Sequence, residues 1–189
     1  MKILGIAGSP NANGNTANAI KYALSKAVDH ETKYVSLSGK KINPCIGCFS
    51  CALNHKCFYD DDMNEIYELI RWSDAIIIGS PVYMGMVSGQ IKVMMDRCVL
   101  FRPSYEQKLE LTGKIGCGIA CGGFRNGGQE TTLQNIHTFL LQQNIKVIND
   151  GFPFSHAGGT IVGNTNEDTI GLETIDHLIN NLSLMTNCE

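Results

Sequence analysis

Lys2-Ile3-Leu4-Gly5-Ile6-Ala7 runs directly into Gly8-Ser9-Pro10-Asn11-Ala12-Asn13-Gly14-Asn15-Thr16, and this join between an apolar run and a small-residue loop decides the fold. The apolar part has the length and content of a buried strand, and Gly8-Ser9-Pro10 ends it. Asn15 and Thr16 can cap a helix whose Ala17, Ile20, Leu24, Ala27 and Val28 recur at helical spacing. The segment therefore predicts a strand, a loop and a helix in succession.

The unit returns along the chain. Residues 32–37 predict a second strand, and the continuous run Ala75-Ile76-Ile77-Ile78 before Gly79-Ser80-Pro81 predicts a third, buried on both faces. Met63, Ile66, Tyr67 and Ile70 share a helical face behind Asp60, Asp61 and Asp62, whose charge suits a helix amino terminus. Ser88 can cap a helix carrying Ile91, Met94, Met95 and Cys98. Residues 114–120 predict a fourth strand and 146–148 a short fifth. Leu133, Ile136, Phe139 and Leu140 mark the helix between them, and Ile170, Ile175, Leu178, Ile179 and Leu182 a terminal one. Strands alternating with helices imply a parallel sheet covered on both faces. The expectation is an α/β three-layer sandwich, one domain over 1–189, with a five-stranded sheet in the order 2-1-3-4-5. In that order ligands gather at the switch between the first and third strands.

At 189 residues, 43% hydrophobic and 17% charged, the composition is that of an ordinary globular chain. A formal charge of -3 with scattered basic residues lacks the concentrated positive field that a nucleic acid partner requires. The first apolar stretch is too short and too soon broken for a signal peptide or membrane span. A cytoplasmic, reducing location is expected, in which eight cysteines serve metal ligation or redox chemistry rather than disulfides.

Three loops share the strand-to-glycine pattern. In the first, free N–H groups at a helix start and the hydroxyls of Ser9 and Thr16, among Pro10, Asn11, Asn13 and Asn15, can bind a dianionic phosphate without any lysine. Neither GxxxxGK[ST] nor GxGxxG spacing occurs there, which excludes the usual ATP and dinucleotide fingerprints. In the second, Pro81-Val82-Tyr83-Met84-Gly85, Tyr83 offers an aromatic face, and backbone near Pro81 and Val82 can hydrogen-bond the polar edge of an isoalloxazine. The third, Cys121-Gly122-Gly123-Phe124-Arg125-Asn126-Gly127-Gly128-Gln129, lets backbone approach a ligand closely. Together they predict an FMN site. The bland readings are a capped Asn-rich turn for the first loop and ordinary turns for the others.

Residues 38–60 have no sustained period, contain Pro44 and carry Cys45, Cys48, Cys51 and Cys57, a CxxCxxC run with a fourth cysteine a few residues on. Such spacing can wrap a cubane, so a [4Fe-4S] cluster is expected. Zinc is the alternative, although structural zinc usually takes two separated CxxC knuckles. His55 lies within the motif as a bystander. Cys98 and Cys117 read as buried small hydrophobes, Cys121 stands at the mouth of the flavin crevice, and Cys188 lies in the last residues.

These residues resemble the iron-sulfur flavoproteins, a branch of the flavodoxin-like NADPH-dependent FMN reductase superfamily. The resemblance rests on Gly8-Ser9-Pro10 with Asn15 and Thr16, the four-cysteine motif, Asp61-Asp62-Met63, Gly79-Ser80-Pro81-Val82-Tyr83, and the stretch from Gln90 to Arg97. It covers nearly the whole chain. It implies a flavodoxin-like fold, FMN with a [4Fe-4S] cluster, electron passage between them to a small acceptor, and dimers or tetramers. The expected electron donors are ferredoxin or NAD(P)H. Two rival readings are an NAD(P)H-dependent FMN or quinone reductase with zinc or nothing in the cysteine loop, and a non-enzymatic electron carrier that recognises a protein partner. No acid–base triad is expected in any of them.

Overall fold

The computed structural model describes residues 1–102 and 109–185. Its elements run β1 (Lys2–Ala7), α1 (Asn15–Lys26), β2 (Glu31–Ser36), α2 (Ser50–Asn54), α3 (Met63–Trp72), β3 (Ala75–Pro81) and α4 (Gly89–Arg97) with a 3-10 turn (Cys98–Phe101). The series continues with β4 (Ile115–Gly122), α5 (Gln129–Gln142), β5 (Lys146–Val147), β6 (Gly159–Val162) and α6 (Thr169–Leu184). The sheet order is β2-β1-β3-β4-β5, with every pairing parallel. This is the expected flavodoxin-like arrangement.

Alternation along the strands builds two cores, because successive side chains leave opposite faces of a sheet. Ile3, Ala7, Ile77, Cys117 and Ile119 face Ala17, Ile20 and Ala23 of α1 and Ile175, Leu178 and Ile179 of α6. Leu4, Ile6, Ile76 and Ile78 face Ile66 and Ile70 of α3, Ile91 and Met94 of α4, and Ile136 and Leu140 of α5. Ile77 is fully buried in the middle of this sandwich. Cys98 and Cys117 are wholly buried, which pushes both thiols up, Cys117 to about 12. They pack as the apolar residues their positions suggested. Cys188 lies outside the described residues.

The fifth strand position differs from the expectation in one respect. Two short strands share it: β5 pairs Ile115 and Gly116, while β6 pairs Ile119 to Gly122 farther along the same neighbour. Between them the chain leaves the sheet for residues 148–158. Gly158 returns it against the carbonyl of Gly118, where any side chain would collide. Among the described residues no helix is long and apolar enough to cross a membrane.

Candidate functional site

The carboxyl ends of β1, β3 and β4 are adjacent in the sheet, so their loops emerge together. Gly8 N–H donates to the Gly79 carbonyl (2.8 Å), and the Ser88 hydroxyl donates to the Gly8 carbonyl (2.6 Å). A side chain at Gly8 would strike Ile91 on α4, so only glycine lets the first loop sit this low. Ser88 is fully buried. Its N–H donates to the Ser80 hydroxyl (3.0 Å), and its own oxygen caps α4 by accepting from Ile91 N–H (3.3 Å).

Helix α1 begins after Gly14, which brings no side-chain acceptor, and no acidic residue occupies its first turn. The first-turn N–H groups therefore keep their donors at the positive end of a twelve-residue helix. Ser9 and Thr16 are buried beneath the loop, whereas Pro10, Asn11 and Asn13 are exposed on it. The Ser9 hydroxyl accepts from Asn11 N–H (3.1 Å), and Asn11 accepts from Asn13 N–H (3.0 Å), which curls the loop over the helix start. These donors, with no carboxylate among them, suit a phosphate.

The second loop is a tight reversal. Tyr83 and Met86 pair through both backbone bonds (3.0 Å each), and Met84 and Gly85 both take positive φ, 51° and 74°. It is tied to the third loop by Val82 N–H donating to the Cys121 carbonyl (2.9 Å) and by Thr131 donating to the Gly85 carbonyl (2.7 Å). Gly128, at φ 107°, lies against Gly85, where a Cβ would collide with backbone. Gln129 braces the third loop from below: it accepts from Gly127 N–H (3.0 Å) and donates to the Phe124 carbonyl (2.8 Å). Cys121 and Gly122 are buried and Gly123 is exposed. Burial pushes the Cys121 thiol up to about 12, against a hydrogen bond with Thr16, so it is a neutral floor group. Tyr83 (48% exposed), Met84 (99%) and Phe124 (83%) rise from the rim as apolar surfaces without cover. The structure thus brings the predicted FMN residues to one end of the sheet.

A fourth loop joins them that the sequence reading missed. After β6, Gly163 N–H donates to the Gly122 carbonyl (2.8 Å), and the Asn15 amide donates to the Gly163 carbonyl (2.6 Å). Thr165 donates to Asn15 from its N–H (3.1 Å) and its hydroxyl (2.9 Å). The Asn15 side chain is thereby committed to latching loops together. The signal was Thr160-Ile161-Val162 running into Gly163-Asn164-Thr165, the same strand-to-loop join as in β1.

Residues 38–60 form the predicted excursion, interrupted only by the five-residue helix α2. Gly47, Phe49 and His55 take positive φ, so the backbone reverses repeatedly between Cys45 and Cys57. All four cysteines line one cavity of about 1060 Å³, together with Arg97, Met86 and Phe139. Burial raises the Cys51 thiol, and charge on Cys57, Cys45 and Cys48 raises it further, so Cys51 lies within electrostatic reach of the other three. Among the described residues the sulfurs are not drawn into metal-binding distances. Four cysteines on one loop around a shared cavity nevertheless suit a thiophilic centre, which would bind them as thiolates and offset the repulsion between those charges.

The acidic triplet does more than the helix-end role expected of it. Asp61 accepts from both terminal guanidinium nitrogens of Arg97 (2.8 and 3.1 Å), from Asn43 N–H (2.9 Å) and from Met63 N–H (3.1 Å). Asp62 turns back to accept from Lys41 N–H (2.6 Å). This clamp of Asp61 on buried Arg97 was not foreseen, because an ion pair between residues far apart in sequence leaves no local pattern.

Comparisons agree with the geometry. Residues 1–159 match the family described as NADPH-dependent FMN reductase. An iron-sulfur flavoprotein of Methanocaldococcus jannaschii is 44% identical over 94% of this chain and 93% of its own. The iron-sulfur flavoprotein of Methanosarcina thermophila is 41% identical over 93% and 90%. Among solved structures, a flavodoxin, WrbA-like protein of Agrobacterium tumefaciens superposes with a TM-score of 0.66 at 16% identity, covering 98% of this chain and 97% of that one, which speaks to fold alone. The chain belongs to the NADPH-dependent FMN reductase family and, within it, to the iron-sulfur flavoproteins.

Proposed function

We propose that this chain is an FMN-dependent oxidoreductase that holds FMN across the loops after β1, β3 and β4 and a [4Fe-4S] cluster on Cys45, Cys48, Cys51 and Cys57. Its electrons pass between the two to reduce a small acceptor. One observation carries the reading: the cavity lined by all four cysteines also reaches Met86, at the foot of the second flavin loop. The thiols and the residue that closes the second loop by pairing with Tyr83 therefore border a common space. When bound, FMN takes one or two electrons and the cluster one at a time, which couples single-electron input to two-electron output.

The chain's own part is to bind and orient. Helix α1's first turn with Ser9 and Thr16 holds the phosphate, and Tyr83 and Phe124 cover the ring. Gly122 and Gly123 let the backbone come close to it, and Cys121 keeps the floor dry and uncharged. Assembly as a homodimer or homotetramer, a cytoplasmic location, and ferredoxin or NAD(P)H as donor belong to the same reading. A second reading is hydride transfer from NAD(P)H to FMN with zinc or nothing in the cysteine loop, and the family's description supports its NADPH and FMN but not a metal.

Anaerobic purification with iron, sulfide, zinc and flavin analysis separates them. Iron and sulfide with FMN are expected; stoichiometric zinc without sulfide favours the second reading. Cys48→Ala should abolish the cluster and retain FMN. Thr16→Ala should weaken FMN about ten-fold, the cost of one hydrogen bond to a charged group, and leave the metal. Colourless protein that refuses added FMN overturns both readings.

A further inference from the structure

We propose that Arg97 is a positioning residue for the cysteine loop whose buried guanidinium makes the metal centre on that loop easier to reduce. The inference rests on the cluster reading above and concerns a residue outside its ligand set.

Helix α4 runs from the first and second loops to the ends of the cysteine excursion. Its amino end is fixed to the flavin rim through Ser88, bound to Gly8 and Ser80. Its last residue is Arg97, only 2% exposed. The guanidinium donates to the Asn43 carbonyl (2.8 Å), just before Cys45, and to both oxygens of Asp61, just after Cys57. One side chain thus closes both ends of the excursion. Tyr59 covers it, with the guanidinium 5.2 Å from the ring centroid, and Tyr67 donates to the Arg97 carbonyl (3.0 Å).

Two of its three nitrogens serve this anchor. The third, Nε, is buried and has no partner among the described residues, while Arg97 shares the cavity wall with the four cysteines. The surroundings are electrostatic as well: burial opposes the Arg97 charge, the bond to Asp61 leads the contacts that hold it, and Cys57 is near enough to add a smaller contribution. Arginine keeps its charge at every accessible pH, and burial leaves its field little screened. The other charges on the cavity wall are exposed where Arg97 is buried: Lys92, paired with Asp96 (2.6 Å), and Arg102. An added electron makes a four-thiolate centre more negative, so a fixed cation beside it stabilises the reduced form more than the oxidised form.

The test uses anaerobically purified full-length protein and the variants R97K, R97M and D61N. Iron and sulfide are assayed first, then the midpoint potential is read by an EPR-monitored titration. R97M should shift the midpoint to more negative values, R97K should stay near the parent, and D61N, which removes the counter-charge, should shift it to more positive values. Hydrogen exchange in the metal-free proteins should quicken over residues 43–60 in both R97M and D61N. A loosened loop would move both midpoints the same way, so equal signs, or no shift with iron present, overturn the tuning role. If R97M fails to fold, D61N still decides against R97K held near the parent: a shift to more positive values supports the tuning role, and a negative shift or none with iron present overturns it. Unchanged exchange overturns the anchoring role with or without metal. Parent protein lacking iron and sulfide sinks the cluster reading instead, and the exchange comparison still judges the anchor.

Discussion

The flavin rim and the cysteine loop are assembled by opposite means. Every loop of the rim leaves a parallel strand, and the rim is stitched by backbone: Gly8 to Gly79, Val82 to Cys121 and Gly163 to Gly122, at 2.8 to 2.9 Å. The cysteine loop lies outside the sheet. Ile46, Phe49, Leu53 and Phe58 on it are exposed, and its ends are held by side chains, chiefly the Asp61–Arg97 pair. Main-chain bonds survive most substitutions, whereas a loop hung on one ion pair depends on two residues. The rim inherits its geometry from the sheet, and the excursion is built to be filled.

The largest effect should therefore follow from cutting the clamp. Asp61→Ala leaves a buried guanidinium without its counter-charge, which costs about 3–5 kcal/mol in comparable pairs. Chemical denaturation of the metal-free protein should show it, with exchange quickened over residues 43–60 and unchanged over the rim. Acid should imitate the variant. Burial would raise the Asp61 carboxyl, but the bonds from Arg97, Asn43 and Met63 N–H outweigh it and hold it at about 2, below its ordinary 3.8. A depressed folded value means that the stabilisation is complete above the ordinary value and lost as pH falls through the folded one. The parent's loop should loosen between roughly pH 4 and pH 2, with no counterpart in Asp61→Ala. Equal loosening of rim and loop would erase the distinction drawn between them.

The same distinction explains what the sequence made legible. Ala75-Ile76-Ile77-Ile78 with Gly79-Ser80-Pro81 could only be a central strand and its loop, since four buried positions in a row leave no solvated face. Sheet order then placed Ser9, Thr16, Tyr83 and Cys121 at one end without any knowledge of side-chain contacts. Lys146 to Ile148 was too short to fill an edge, and β6 was hidden behind an eleven-residue detour, 148–158, so Gly163 and Thr165 went unread as partners of Asn15. Cys45, Cys48, Cys51 and Cys57 were legible as a set by spacing alone. Asp61 and Arg97 stood in the sequence as separate charges, and only their meeting across the fold gives them a role.

A middle effect is expected where rim and core share a residue. Ser88→Ala removes the cap of α4, the hydroxyl on the Gly8 carbonyl and nothing apolar, costing about 1–3 kcal/mol. Thermal unfolding should fall accordingly. Because α4 is displaced at its amino end, FMN affinity should fall as well, and metal content should hold. Retained flavin affinity with a lowered melting temperature would mean the first loop keeps its seat through Gly79 alone.

The smallest change in stability, and the most telling about the rim, belongs to Gln129→Ala. Gln129 is buried and its amide satisfies Gly127 N–H and the Phe124 carbonyl, but both lie in a loop that water can reach once the side chain is gone. Hydration then offsets most of the lost bonding, leaving about 1 kcal/mol or less. The loop's shape has no such substitute: Gly123 and Phe124 lose the brace that holds their backbone over the floor made by Cys121 and Thr16. Flavin titration should therefore show several-fold weaker FMN binding in a protein that melts almost where the parent does. A variant that binds FMN as tightly as the parent would remove the third loop from the site, and the rim would reduce to the ends of β1 and β3.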